Sequence, residues 1–302
     1  MSFLYALEEL RIPVLNEFML AITTLGEETA FLVIALIVFW CVDKRRGYYI
    51  LSVGFLGTMI NQVLKLQFQI PRPWKRDPSF TILEQAREAA SGFSFPSGHT
   101  QTAFGTFGAL AITSKKRVFR LVFIILPLLV ALSRMYIGVH TPQDVLTSMA
   151  IAVLLLLVFN PVMDGKYERA LPWVIAGLSV CSIAFLVYVN ALSYDPSSDD
   201  AHNFVSGLKN AYTMLGCTFG LLVVWCADRK LCFDTKAVWW AQILKVVLGL
   251  GVVLLVKEGL RSPLEALCNG HLAARSIRYF LVVITAGIVW PLSFCLVPKE
   301  KK

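Results

Sequence analysis

Long apolar runs separated by short polar breaks set the pattern of this chain. Runs of about 20 residues, the length that carries a helix across the hydrocarbon of a bilayer, lie near 25–42, 47–68, 98–114, 118–139, 142–163, 171–192, 210–227, 237–258 and 277–297. They predict an all-α, polytopic membrane bundle of about nine spans. The first run is short, and the preceding "RIPVLNEFMLAITTLG" reads either as an amphipathic segment in the interface or as an extension of that span. Residues 1–163 form one expected unit of five spans, and residues 164–302 a C-terminal membrane extension of about four. No soluble domain and no 20–50-residue repeat interrupts the series.

Composition agrees with that pattern. Of 302 residues, 57% are hydrophobic and only 16% charged, with a mean hydropathy of +0.66, far from an ordinary soluble domain. The net charge of +8 does not point to nucleic acid, because no basic run exceeds a few residues. Its origin is a bias between loops. "DKRRG" (43–47), "SKKRVFR" (114–120), "DGKYER" (164–169), "ADRK" (227–230) and the tail "PKEKK" fall on one side of the alternation, which is therefore assigned to the cytoplasm. The loop 69–96, the turn 139–141, the acidic segment 193–203 and the loop 259–275 then face outward, with the N-terminus outside and the C-terminus cytoplasmic. "MSFLYALEELRIP" lacks a positive n-region, so no cleaved signal is expected. The seven cysteines, mostly inside apolar runs, read as small apolar residues rather than metal ligands or disulfides.

Three outward-facing ends carry unusual polar groups. "KLQFQIPRP" places Lys65 and Arg72 after the second span, "FPSGHT" opens the third with Ser97, Gly98 and His99, and "SRMYIGVHTPQD" brings Ser133, Arg134, His140 and Asp144 around the turn between the fourth and fifth. Lys65, Arg72 and Arg134 supply three cations, and the helix N-terminus at Ser97–Gly98 adds amide donors, a combination suited to a phosphate dianion. Asp144, four residues after His140, can hold one imidazole nitrogen as N–H and leave the other as a nucleophile. His99, on a separate helix end, can protonate a leaving alkoxide. No metal or cofactor is required. Read alone, Thr141-Pro142-x-Asp144 is equally a helix start with Thr141 as cap.

Lys-x6-Arg-Pro (65–73), Pro-Ser-Gly-His (96–99) and Ser-Arg-x5-His-x3-Asp (133–144) together resemble, in order and in full, the three signature motifs of the type 2 phosphatidic acid phosphatase superfamily. The resemblance covers roughly residues 20–163. It implies a metal-independent membrane phosphatase with a phosphohistidine on His140, His99 as acid, Asp144 orienting His140, and Lys65, Arg72, Ser97, Gly98 and Arg134 as the phosphate cradle. A lipid phosphate or diphosphate is the expected substrate, with the bilayer as setting. Trp74, Phe80, Phe93 and Phe95 are candidates to guide its chain. The nine-span arrangement is also similar to that of glucose-6-phosphatases and of some sphingoid-base phosphate phosphatases, which leaves the substrate open, with a sugar phosphate as an alternative. A transporter and a vanadium haloperoxidase are more distant ones. Outside the motifs, Asp195, Asp199, Asp200 and His202 read as a solvated acidic loop rather than a metal site. Arg261, His271, Arg275 and Arg278 share the last outward loops, as interfacial anchors or headgroup contacts. Lys245, deep in an apolar run, is left between snorkelling, pairing and lining a cavity.

Overall fold

The computed structural model describes residues 1–87, 90, 92–163, 168–197, 201–231, 233–296 and 298. Asp199, Asp200, Cys232 and residues 164–167 and 299–302 of the basic segments lie outside that set. The described residues are helical and contain no strand. The order is α1 Ser2–Glu9, α2 Pro13–Thr23, α3 Glu28–Ile37, α4 Lys44–Phe68, α5 Pro73–Arg76, α6 Gly98–Thr113, α7 Arg117–Tyr136, α8 Pro142–Met163, α9 Leu171–Ala191, α10 Ala201–Leu231, α11 Trp239–Gly259, α12 Arg261–Leu267, α13 Ala273–Ile284 and α14 Trp290–Leu292. Among the described residues seven helical runs are long and apolar enough to cross a bilayer, and a bent pair, Pro13–Gly26 with Glu28–Val42, makes an eighth. The third expected span is α6, whose 16 residues are a turn short of a full crossing. The expected bundle of about nine spans therefore stands, as a multi-pass integral membrane protein. The "RIPVLNEFMLAITTLG" stretch forms α2 and runs into the first span through a 56° bend.

Two compact units emerge. The first holds residues 1–32, 56–160 and 194–206. Its helix starts follow the local sequence: Pro13 opens α2 behind an extended Ile12, Ser97 caps α6, and Pro142 opens α8. At the bend, Gly26 lies flat against the start of α6, where a β-carbon would sit 2.8 Å from the carbonyl of His99 and 2.9 Å from Val130. Only glycine allows that approach. The long loop after α4 is pinned by Ser94 N donating to Ile70 O (2.7 Å) and Leu83 N to Ile137 O (3.1 Å). Met19, Ile82, Ala86, Ala90, Tyr136, Ile137 and Val139 pack into one buried cluster that joins α2, this loop and the end of α7. That cluster fixes the turn from which His140 projects.

The second unit holds residues 33–55, 161–193 and 207–302. α3 and α13 each continue into a π-helical turn, at Val38–Val42 and Thr285–Val289. Trp40, fully buried, donates its indole N–H to Ala286 O at 2.8 Å, so a backbone carbonyl inside the second widened turn gains an outside donor. Lys245 is 2% exposed, and its ammonium reaches back along α11 to the carbonyls of Asp234 (3.3 Å) and Thr235 (3.2 Å) in the segment before that helix, 4.4 Å from the centroid of the Phe294 ring.

Candidate active site

All nine motif residues singled out by sequence, from Lys65 to Asp144, belong to the first unit. His140 stands in the short link between α7 and α8, 1% exposed. The link leaves α7 through Gly138 at φ +90°, a left-handed conformation that glycine adopts without strain. Val139 N and His140 N both donate to Arg134 O, at 3.2 and 3.3 Å, tying the link to the end of α7.

Each imidazole nitrogen has a partner. Arg72 Nη1 lies 3.0 Å from Nε2, and Asp144 Oδ2 lies 3.3 Å from Nδ1. A guanidinium can only donate, so Nε2 is the acceptor and the neutral ring carries its proton on Nδ1, facing the carboxylate. Burial lowers the His140 pKa well below the ordinary imidazole value, and Arg72, Arg134 and Lys65 add to the effect. The ring is thereby held neutral, with the Nε2 lone pair turned toward cations.

Asp144 is fixed from several sides. Its Oδ2 also accepts from Ser94 Oγ (2.6 Å) and Thr141 N (2.8 Å), while its own amide donates to Thr141 Oγ1 (3.3 Å). The helix-cap reading and the histidine-partner reading of Asp144 are therefore both realised, by a single oxygen. Asp144 O accepts from Ser97 N at 3.2 Å, which joins the start of α8 to the start of α6.

The cations are held by backbone oxygens. Arg72, on the loop after α4, donates from Nε to Gly92 O (3.0 Å) and from Nη1 to Val139 O (2.9 Å). Lys65 Nζ donates to Phe93 O at 2.6 Å. Arg134 is 2% exposed; its Nη1 donates to Thr23 Oγ1 at 2.8 Å, and its Nε is buried with no partner among the described residues. Ser97 is turned inward as the cap of α6, its Oγ accepting from Thr100 N (3.4 Å) and Thr100 Oγ1 (2.9 Å). A cavity of about 200 Å³ opens beside Lys65, Gly98 and His99 and is also lined by Thr58, Asn61 and Gln101; Arg72, Arg134, His140 and Asp144 are not on its wall.

Four contributors escaped the sequence reading: Ser94 on Asp144, Thr23 on Arg134, and Asn61 and Gln101 on the cavity wall. Asn61 had a signal, since it precedes Lys65 by one helical turn and shares its face. The aromatic candidates differ in setting. Phe80 and Phe93 are buried, at 2% and 4% exposure, edge-on to Tyr5 and Phe204 respectively. Phe95 is half-buried against an exposed Phe68, their centroids 5.3 Å apart.

The first unit thus gathers a buried histidine–carboxylate pair and three cations at the ends of membrane helices. Residues 45–168 match the PAP2 superfamily, and residues 212–302 match the PAP2 superfamily phosphatase transmembrane extension. The chain is 30% identical over 173 residues to phosphatidylglycerophosphatase B of Bacillus subtilis, covering 53% of this chain and 80% of that protein. It is 32% identical over 117 residues to the undecaprenyl-diphosphatase BcrC of the same organism, covering 39% of this chain and 58% of that one. A dihydrosphingosine 1-phosphate phosphatase of Schizosaccharomyces pombe is 29% identical over 258 residues, which is 79% of this chain and 53% of the relative. The chain thus spans little more than half the length of two of these relatives. It belongs to the PAP2 superfamily.

Proposed function

We propose that this chain is a metal-independent phosphatase that hydrolyses a lipid phosphate or diphosphate through a phosphohistidine on His140, on the non-cytoplasmic face of its membrane. The core of the activity falls in residues 1–163, with 164–302 as a membrane extension. The observation that carries the reading is the state of His140: a neutral imidazole with its proton on Nδ1 against Asp144 and its lone pair on Nε2 directed at Arg72.

In this mechanism the phosphate oxygens take the N–H groups of Arg72 and Arg134 and the ammonium of Lys65, with the amides at the start of α6 completing the cradle. Once its Nη1 turns to the phosphate, Arg72 uncovers Nε2. That nitrogen attacks phosphorus in line, the N–P bond forming as the P–O bond to the leaving group breaks. His99 gives its proton to the departing oxygen. Asp144 stabilises the charge that develops on the imidazole. Water then attacks the phosphohistidine, His99 takes up a proton from it, and phosphate leaves with His140 restored.

The relatives' names specify an undecaprenyl diphosphate, a phosphatidylglycerophosphate and a dihydrosphingosine 1-phosphate. What they share, a phosphate on a lipid, supports the substrate class. Sidedness rests on the basic segments 43–47, 114–120, 164–169 and 227–230 and the basic tail, which the alternation of nine spans assigns to the side opposite the three motifs.

The test is a panel of ³²P-labelled lipid phosphates and glucose 6-phosphate given to the full chain in detergent, with rapid quenching. The wild-type protein should carry an acid-labile, base-stable label that His140→Ala lacks. A label that persists in His140→Ala, or turnover confined to glucose 6-phosphate, would overturn the reading. Sidedness is read separately: in intact cells an impermeant thiol reagent should add label to Lys75→Cys over the parent chain, and to Lys116→Cys only after permeabilisation. The reverse pattern would place the site in the cytoplasm.

A further inference from the structure

In the second unit, a cavity of about 230 Å³ opens among α10, α12 and the start of α13. Its wall brings together Lys209, Arg261, His271, Arg275 and Arg278, with Glu265 as the one carboxylate. Lys209 stands more than fifty positions before the others in the sequence, so the fold alone places it with them.

The donors are mostly uncommitted. Glu265 Oε1 meets Arg261 Nε at 3.4 Å, but both side chains are more than half exposed, so solvent weakens that pair. Arg275 uses Nε on Thr213 Oγ1 at 2.7 Å. His271 Nδ1 accepts from the amide of Ala273 at 3.1 Å, which places the proton of a neutral ring on Nε2. Arg278 is the telling residue. It is 7% exposed, its Nε is buried with no partner among the described residues, and its guanidinium carbon lies 5.3 Å from the centroid of the Tyr279 ring.

A guanidinium withdrawn from water without a counter-ion is strongly disfavoured, and a buried charge is normally paired. Four formal cations around one cavity, against a single solvent-weakened carboxylate, leave an excess that only an entering anion offsets. Guanidinium forks supply paired donors that match the oxygens of a tetrahedral phosphate, and several cations suit a ligand with more than one negative charge.

We propose that this cavity is a second phosphate-binding site, separate from the His140 cradle and holding a phosphate-bearing anion without chemistry upon it. The shared chemistry is the phosphate group itself, carried either on a lipid headgroup or as the free anion. The proposal stands on the second unit alone, because no residue of the cavity belongs to the catalytic constellation.

The full chain is compared with two double variants, the inner pair Arg275→Gln/Arg278→Gln and the outer pair Lys209→Gln/Arg261→Gln. The outer side chains are exposed, so that variant keeps its fold and decides the question even if the inner one does not. In one arm, equilibrium dialysis with labelled inorganic phosphate is run in a neutral detergent. In the other, native mass spectrometry counts phosphatidylglycerol retained from phosphatidylcholine nanodiscs doped with it. Phosphate in the His140 cradle is common to all three proteins and cancels. The expected result is one additional bound anion on the wild-type chain in at least one arm, with affinity at least tenfold weaker in the inner variant and about threefold weaker in the outer. A difference in the first arm identifies free phosphate as the ligand, and one in the second the lipid headgroup. Equal stoichiometry and affinity for the wild-type chain and the outer variant in both arms would overturn the proposal, whatever the fate of the His140 mechanism.

Discussion

Arg134 and Lys245 are both cations at 2% exposure within helices, yet the protein treats them differently. Lys245 sits in the second unit with two carbonyls on its ammonium and an aromatic face beside it. Arg134, in the first unit, has one hydroxyl on Nη1 and an unmet Nε. Burial alone does not mark a functional charge. What separates the two is whether a donor stays unmet: the ammonium of Lys245 is turned to two carbonyls, whereas Arg134 keeps a buried Nε with no partner among the described residues, which suits the cradle role proposed for it.

The sharpest way to break this contrast is at His140, the nucleophile proposed for the first unit. His140→Ala should lower kcat by about 10⁴-fold or more while the chain still folds, as removal of a covalent catalyst does; a loss under tenfold in a phosphate-release assay would remove the basis for calling Arg134 part of a working cradle. Asp144→Asn comes next, at about 10³-fold in kcat, because an amide no longer favours the tautomer with Nδ1–H or stabilises the charged ring. Arg134→Lys should cost about 10²-fold in kcat/KM, since an ammonium cannot present two parallel donors from that position. Full activity in that variant would mean that the unmet Nε has no role.

A subtler effect concerns pH. His140 is held below the ordinary histidine range by burial and by the cations around it, so protonation of Nε2, which would abolish attack, begins only below about pH 6.5. The acid limb of kcat/KM, corrected for the substrate's own ionisation near about pH 6, should lie below that value and move toward it in Arg72→Gln. A limb already at or above it in the wild type would contradict the buried, cation-flanked state. The smallest effect on turnover is reserved for the other half of the comparison. Lys245→Met should leave kcat within about twofold while lowering stability by about 0.5–1.5 kcal/mol, the worth of the hydrogen bonds it gives to the carbonyls of Asp234 and Thr235, read as a lower thermal midpoint in detergent.

Sequence made the candidate site legible to an unusual degree because its members sit at helix ends, where apolar runs stop and any charge stands out. Residues acting at a distance in the chain were not legible. Ser94 reaches Asp144 across 50 positions and Thr23 reaches Arg134 across 111, and no local pattern encodes such meetings. Lys245 stayed undecided for a related reason: its partners, the carbonyls of 234 and 235, are backbone atoms that any residue type would supply. α6 came out a turn shorter than a full crossing, since an apolar run reports hydrophobicity and not where the caps fall. The basic cavity was half legible. Arg261, His271, Arg275 and Arg278 were already grouped by their loop, and Lys209 was missing until α10 was folded alongside.

Gly26 behaves as a set screw on His99, the proposed proton donor. It contributes no functional group, yet the space its missing methyl leaves is filled by the backbone of His99 and by Val130, so the seating of the N-terminal helices and the aim of the imidazole are one adjustment. A residue scan would therefore register a substitution at position 26 twice, as lost expression because a β-carbon meets backbone, and as lost turnover in whatever protein still folds.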